Sequence, residues 1–262
     1  MTFGTLQFEV NDSVATITLH RPDAANAIDL EMGRDLMHAA ICCDEDPSVR
    51  AVVLRATGKM FCAGGDVKSF AAAGEGLPSV LKELTVYLHA AVSRFARMRA
   101  PLVAAVQGTA AGAGFSIAMA ADFVVASRAA KFVMAYTGIG LAPDGGSTWV
   151  LPRLLGTRRA AELMMTNRVL SAEEALDWGL VNRVVEDDRV NEEARSLART
   201  LASGPTEAFG AVKRLLIESG QNGIETQMEL EAREIARVAR TEDARGAIRA
   251  FVEKKKPRFS GR

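Results

Sequence analysis

GTAAGAGFSIAMAAD, residues 108–122, decides how the rest of this chain is read. It follows the apolar run LVAAV at residues 102–106, which has the length and composition of a buried strand. No charged side chain stands between Gln107 and Asp122, and most of the residues are tiny. Gly108, Gly112 and Gly114 let other backbone approach closely and leave amide N–H groups uncovered. From about Ala113 the segment reads as a helix that is apolar on every side, hence a buried one. The first N–H groups of a helix have no intrahelical acceptor and carry the positive end of its dipole. A buried, glycine-rich helix start suits an anion or a developing oxyanion. Small residues that merely let a helix cross a strand closely would look the same.

Composition narrows the alternatives. With 262 residues, 48% apolar and 24% charged, the chain is an ordinary globular one, with room for one large domain or a core plus a smaller part. Lys plus Arg equals Asp plus Glu at 32 each, so no global field favours nucleic acid, and an anionic ligand must be met by local groups. Cys42, Cys43 and Cys62 form neither a disulfide framework nor a CxxC pair. His20, His38 and His89 supply no HxxxH or HxH pair, so no protein-bound metal is expected. The N-terminal MTFGTLQFEVNDS lacks the basic start and apolar run of a signal peptide. No charge-free apolar run has the length of about 20 residues needed to cross a membrane. A cytoplasmic address follows as the expectation.

Units of strand, turn and helix recur on either side of the opening stretch. Residues 6–10 and 14–19 read as two strands joined at Asn11, Asp12 and Ser13. A helix carrying Met32, Leu36, Met37, Ala40 and Ile41 on one face ends before Asp46-Pro47. Residues 51–54 are another buried strand, and MFCAGGDV at residues 60–67 is a second small-residue turn opening into a helix. Residues 71–78 read as a mobile surface loop. A long helix follows from Ser79, with His89 next to its apolar stripe as a core-edge or surface residue. After strands at 123–126 and 132–134, GIGLAPDGG at 138–146 is a third glycine-rich loop. No GxGxxG follows a strand with an acidic residue placed for a ribose, which argues against a dinucleotide fold. Ser171 to Glu174 fits a capping box, closed by Trp178-Gly179. Beyond Ser203-Gly204-Pro205 the composition turns helical, with Arg and Glu alternating along residues 229–240 as on a solvated face. The expected division is therefore residues 1–203 as an α/β core and residues 204–262 as a helical segment.

Taken together, four motifs resemble the crotonase (enoyl-CoA hydratase/isomerase) superfamily: FCAGGDVKSF at 61–70, AVQGTAAGAGFSIAMAAD at 105–122, GLAPDGGSTWVLPRLLG at 140–156 and LSAEEALDWGLVNRVV at 170–185. The pattern is most similar to the phenylacetate-pathway enoyl-CoA/epoxyphenylacetyl-CoA isomerase subgroup. The resemblance implies a spiral of repeated ββα units, a helical C-terminal oligomerisation segment, and a homotrimer or a hexamer built as a dimer of trimers. It implies an acyl-CoA thioester substrate, with coenzyme A as part of that substrate and no permanently bound cofactor. Two backbone N–H groups, of Gly65 and Ala113, would polarise the thioester carbonyl; preorganised amide donors in a dry site stabilise an enolate oxygen strongly. Ala24, Ala25, Ala27 and Ile28, with Ala63, Gly64, Asp66, Val67 and Gly112, would form the walls around adenine and pantetheine. Phe251 and Lys254 resemble positions that close over the nucleotide from a neighbouring subunit.

The departures from the family pattern bear on the chemistry. Hydratases of the family place two glutamates around the added water; here those positions hold Ser116 and Tyr136, and neither is a carboxylate. Asp144 is the acidic residue left in the matching region, at a place where some isomerases and dehalogenases of the superfamily use an aspartate. Pro-Asp-Gly is also simply a good turn sequence. Asp66 and Asp122 read as residues that cap or orient backbone. The expectation is an enoyl-CoA isomerase that shifts a double bond with Asp144 as base. A hydratase with a non-standard water site, aryl-CoA chemistry with Asp144 as nucleophile, and a silent acyl-CoA-binding protein stay open.

Overall fold

The first hairpin forms where β-branched residues run together and reverses where Asp12 and Ser13 both take left-handed backbone conformations. In the computed structural model, which describes residues 3–262, β1 (Leu6–Asn11) pairs antiparallel with β2 (Val14–Leu19), Asn11 opposite Val14. All six residues of β2 are buried. α1 (Leu30–Glu45) begins at Asp29, whose carboxylate accepts from the Met32 N–H at 2.8 Å, and ends before Pro47. β3 (Ala51–Ala56) then runs parallel to β2. α2 (Val67–Ala73) is capped by Asp66 and leads through a 3-10 turn at Gly74–Gly76 into the long α3 (Leu77–Arg97). Residues 71–78, expected as a mobile surface loop, are thus the end of one helix, a tight turn and the start of the next. Pro78 sits in the first turn of α3, where its missing N–H forfeits no intrahelical bond.

β4 (Leu102–Val106), β5 (Thr109–Ala111), α4 (Ala113–Met119) and β6 (Phe123–Ser127) follow, and every residue of α4 is buried. After β7 (Lys131–Val133) come α5 (Ser147–Leu155), α6 (Thr157–Thr166), β8 (Leu170–Ser171) and α7 (Ala172–Asp177). The capping box at Ser171 and Glu174 is formed. β9 (Arg183–Val185) and α8 (Val190–Ala202) precede three closing helices, α9 (Thr206–Ser219), α10 (Ile224–Val238) and α11 (Glu242–Val252).

The larger sheet has the order β1-β2-β3-β4-β6-β9 and is parallel apart from its first hairpin. A smaller sheet, β5-β7-β8, is continued by parallel bridges between Cys62 and Ala110 and between Ile28 and Gly65. Each turn of the chain therefore lays one strand in the large sheet, one short extended piece in the small layer, and then a helix. This is the ββα spiral.

Both faces of the large sheet are covered, which is why its strands read as nearly continuous apolar runs. On one face, Ile17, Leu54 and Ala104 pack among residues of α1, α3 and α4. On the other, Val53, Val103 and Val125 meet Val190, Ala194 and Ala198 of α8. The closing helices are not a detached appendage, because Lys213 of α9 reaches in to Asp122 at the start of β6. α10 and α11 leave Ile235, Ile248 and Phe251 exposed.

Candidate active site

Two glycine-rich turns face each other across the small sheet. In one, Gly64 has φ +97°, and a Cβ there would stand 3.0 Å from the Ala111 carbonyl and 3.4 Å from the Ala113 nitrogen. That close approach packs the turn carrying Gly65 against the start of α4. The turns are held by Ala111 N–H to Cys62 carbonyl (2.9 Å), Gly112 N–H to Val133 carbonyl (3.0 Å) and Ile28 N–H to Gly64 carbonyl (2.7 Å). Among the described residues, neither the Gly65 nor the Ala113 N–H donates to a protein acceptor. Both line one cavity of about 320 Å³. Unpaired, preorganised amide donors in an apolar pocket suit a developing oxyanion.

The cavity wall opposite is apolar: Phe70 of α2 with Leu81, Leu84 and Leu88 of α3. Thr85 also lies there, but its hydroxyl is spent on the Lys82 carbonyl at 2.8 Å. Asp144 is the one carboxylate among the lining residues. Its Oδ1 accepts from the Tyr136 hydroxyl at 2.5 Å, and that hydroxyl lies 3.0 Å from Ser116 Oγ. Burial, with the Asp144 carboxylate beside it, pushes the Tyr136 phenol far above its ordinary range, so it is a neutral donor. On the other side, His89 Nε2 lies 3.7 Å from Asp144 Oδ2 and accepts from the Gly145 N–H at 3.3 Å.

The structure brings together most of the residues singled out by sequence. Ile28, Ala63, Gly64, Gly65, Val67, Gly112, Ala113, Tyr136 and Asp144 all line the cavity. Ala24, Ala25 and Ala27 lie outside it, in a loop tied down by buried Asn26, whose amide donates to the Thr57 and Met60 carbonyls. Asp66 turns inward: it caps α2 through the Ser69 N–H at 3.2 Å and pairs with Arg21 at 3.1 Å. Phe251 and Lys254 are exposed and do not reach the cavity of their own chain. Cys62, between the turns, is fully buried, and burial pushes its thiol up to about 12, so it packs rather than reacts. His89, expected at the core edge or surface, is exposed there, and what the sequence did not show is its contact with the loop of Asp144 and Gly145. Its only local signal was a position beside the apolar stripe of α3.

Residues 9–262 match the sequence profile of the enoyl-CoA hydratase/isomerase family. The chain belongs to that family. It is 38% identical to a 1,2-epoxyphenylacetyl-CoA isomerase of Escherichia coli over 97% of each chain. It is also 38% identical to a probable enoyl-CoA hydratase of Rhodobacter capsulatus, over the full length of both. The crystal structure of an enoyl-CoA hydratase from Polaromonas sp. superposes with a TM-score of 0.93 at 33% identity, covering 98% of this chain and all of that one. Family members of this one fold thus carry both isomerase and hydratase names, and the cavity described above is this member's candidate active site.

Proposed function

We propose that the protein is an isomerase that shifts a double bond between the 2,3 and 3,4 positions of an enoyl-CoA thioester. The Gly65 and Ala113 amides hold the thioester oxygen as negative charge develops on it. Asp144 takes a proton from one carbon of the allylic system and returns it to another. One carboxyl group serves a 1,3 shift, because the same atom abstracts and donates. The observation that carries this reading is that Asp144 is the single carboxylate lining a cavity that also holds two free amide donors.

Asp144→Asn keeps shape and hydrogen-bonding capacity but cannot accept the proton. We expect turnover to fall by on the order of 10²–10⁴ while acyl-CoA binding survives. The assay offers trans-2- and trans-3-enoyl-CoA in D₂O and follows both double-bond position and water addition. Full isomerase activity in Asp144→Asn would sink the mechanism.

His89 favours a second reading. Hydration requires a water and its proton both to be managed, and the His89 imidazole, 3.7 Å from Asp144, supplies a second group for that task. Efficient water addition by the wild type without double-bond movement would decide for hydration. The exposed Phe251 and Lys254 fit a homotrimer or hexamer in which a neighbour's C-terminal segment covers the nucleotide, and a cytoplasmic enzyme is the setting we infer. That arrangement makes residues 204–262 the oligomerisation segment of a core spanning residues 1–203.

A further inference from the structure

We infer that Tyr136 and Ser116 form a strut that fixes the Asp144 carboxylate relative to the Ala113 N–H, making Oδ2 the oxygen that carries the proton. The inference rests on the reading of Asp144 as the base. Both strut residues occupy places where a hydratase has a carboxylate, and neither has an acid–base role in that reading.

The hydrogen-bond order is dictated by proton count. The Tyr136 phenol has one hydrogen, and the 2.5 Å contact to a carboxylate oxygen claims it. The phenol oxygen is then left as an acceptor, and Ser116 Oγ, 3.0 Å away and buried, donates to it in preference to the Gly112 carbonyl at 3.3 Å. Ser116 belongs to α4, the helix that begins at Ala113, and its own N–H closes the first turn onto the Gly112 carbonyl at 3.0 Å. A second tie runs through Gly145, the residue after Asp144. A Cβ there would stand 2.8 Å from Ser116 Cβ, so the loop rests directly on the same side chain. The base is thus anchored to the helix that presents the amide donor.

The same geometry separates the two carboxylate oxygens. Oδ1 is occupied by the phenol. Oδ2 faces His89 Nε2 at 3.7 Å, longer than a hydrogen bond, and that nitrogen already accepts from the Gly145 N–H. The groups facing the carboxylate are therefore the neutral phenol of Tyr136, in the loop after β7, and the imidazole of His89, on α3. Oδ2 takes the C–H proton as the electron pair moves toward the thioester oxygen. It then returns the proton to the third carbon of the allylic unit as that pair comes back.

Tyr136 and Ser116 are positioning residues, and their test reads more than rate. Tyr136→Phe removes only the hydroxyl. We expect kcat to fall by roughly 10- to 100-fold, the worth of one hydrogen bond to a charged group, with KM little changed. Ser116→Ala should show a smaller change of the same kind. The double variant should be no slower than Tyr136→Phe alone, since the serine acts through the tyrosine. Circular dichroism and crotonyl-CoA titration calorimetry check folding and binding; if Tyr136→Phe does not fold, Ser116→Ala decides. An inactive Asp144→Asn beside Tyr136→Phe and Ser116→Ala enzymes with wild-type kcat would overturn the strut, as would a rise in KM alone. An active Asp144→Asn would instead remove the base assignment, and the strut with it.

Discussion

Lys213 Nζ lies 2.7 Å from Asp122 Oδ2, and the same nitrogen donates to the Phe95 and Ala100 carbonyls at 2.8 and 3.1 Å. Asp122 in turn accepts from the Leu102 N–H at 2.7 Å. The pair locks α9 to the end of α3 and to the first residue of β4, directly behind the sheet that leads to Ala113. Burial pushes the Asp122 carboxyl up and the Lys213 ammonium down from their ordinary values, and each is compensated by the other.

Lys213→Met should therefore cost about 1.5–3 kcal/mol, because it leaves a partly buried carboxylate without its charged donor. Urea unfolding would show a lower midpoint at unchanged slope. Adding Asp122→Asn should recover part of the loss, since two uncharged groups suffer less than one orphaned charge. A cost below about 1 kcal/mol would rank the pair with ordinary surface bridges and refute its structural weight.

Gly65→Ala tests the other half of the site. A Cβ at Gly65 would stand 2.6 Å from the Phe70 ring, so the turn or the ring must move and the amide donor with it. Loss of one oxyanion donor typically costs on the order of 10²–10³ in kcat. We expect a loss of that size with the protein still folded. Wild-type kcat in Gly65→Ala would mean that the Gly65 N–H does not hold the developing charge.

Acid should loosen α10 before it unfolds the core. Glu234 is held below its ordinary carboxyl value of 4.5 chiefly by the hydrogen bond from Arg214, with burial opposing and Arg237 adding to it. Glu207 is also held low: burial opposes the shift, but Arg237 at 2.9 Å and Arg99 at 3.4 Å outweigh it. A carboxyl with a lowered folded-state pKa stabilises the fold above its unfolded value and loses that contribution as pH falls through the folded one. These pairs are partly exposed, so about 1 kcal/mol each is the ceiling. Hydrogen exchange in α10 should accelerate relative to β3 and β4 as pH falls below the ordinary carboxyl value of 4.5. Uniform acceleration in all three elements would count against this ordering.

The apolar residues of the last two helices predict assembly. Ile235 is 73% exposed and Phe251 84% in a single chain, and the proposed assembly would cover both. Sedimentation should give a trimer or hexamer, and Ile235→Glu with Phe251→Glu should shift it toward monomer. A wild type that stays monomeric at micromolar concentration would remove the proposed cover over the nucleotide.

Legibility from sequence followed length and burial. β2, β3, β4 and β6 are buried runs of five or six residues, and each stood out as an apolar block. β5, Thr109-Ala110-Ala111, is three residues of small side chains inside a glycine-rich stretch, too short to show a period. The segment 71–78 misled because Gly74, Gly76 and Pro78 punctuate like a loop, while proline in a first helical turn is equally a start signal. Gly65, Ala113 and Asp144 were reached through motif resemblance, which carries positions that physical patterning cannot. His89 was read as a core-edge or surface residue, and it is exposed, but its contact with Asp144 and Gly145 was not reached. Its role depends on α3 crossing the loop after β7, a meeting that leaves no mark on the residues around it. The Ser116–Tyr136–Asp144 chain is a long-range coincidence of the same kind.

The two halves of this site are made of different material. Gly65 and Ala113 sit on turns stitched into the small sheet, where a side chain at Gly114 would collide with Cys62 at 2.5 Å and little can vary. Asp144 comes from an irregular loop in which Gly140, Gly145 and Gly146 all have positive φ and only one short helical turn intervenes. On the proposed mechanism, the amides that activate a carbonyl are thus built into the frame, while the group that moves the proton rides on a loop that touches the frame at Ser116. Exchanging that loop should change the reaction and leave the amide donors in place, provided the contact at Ser116 is kept.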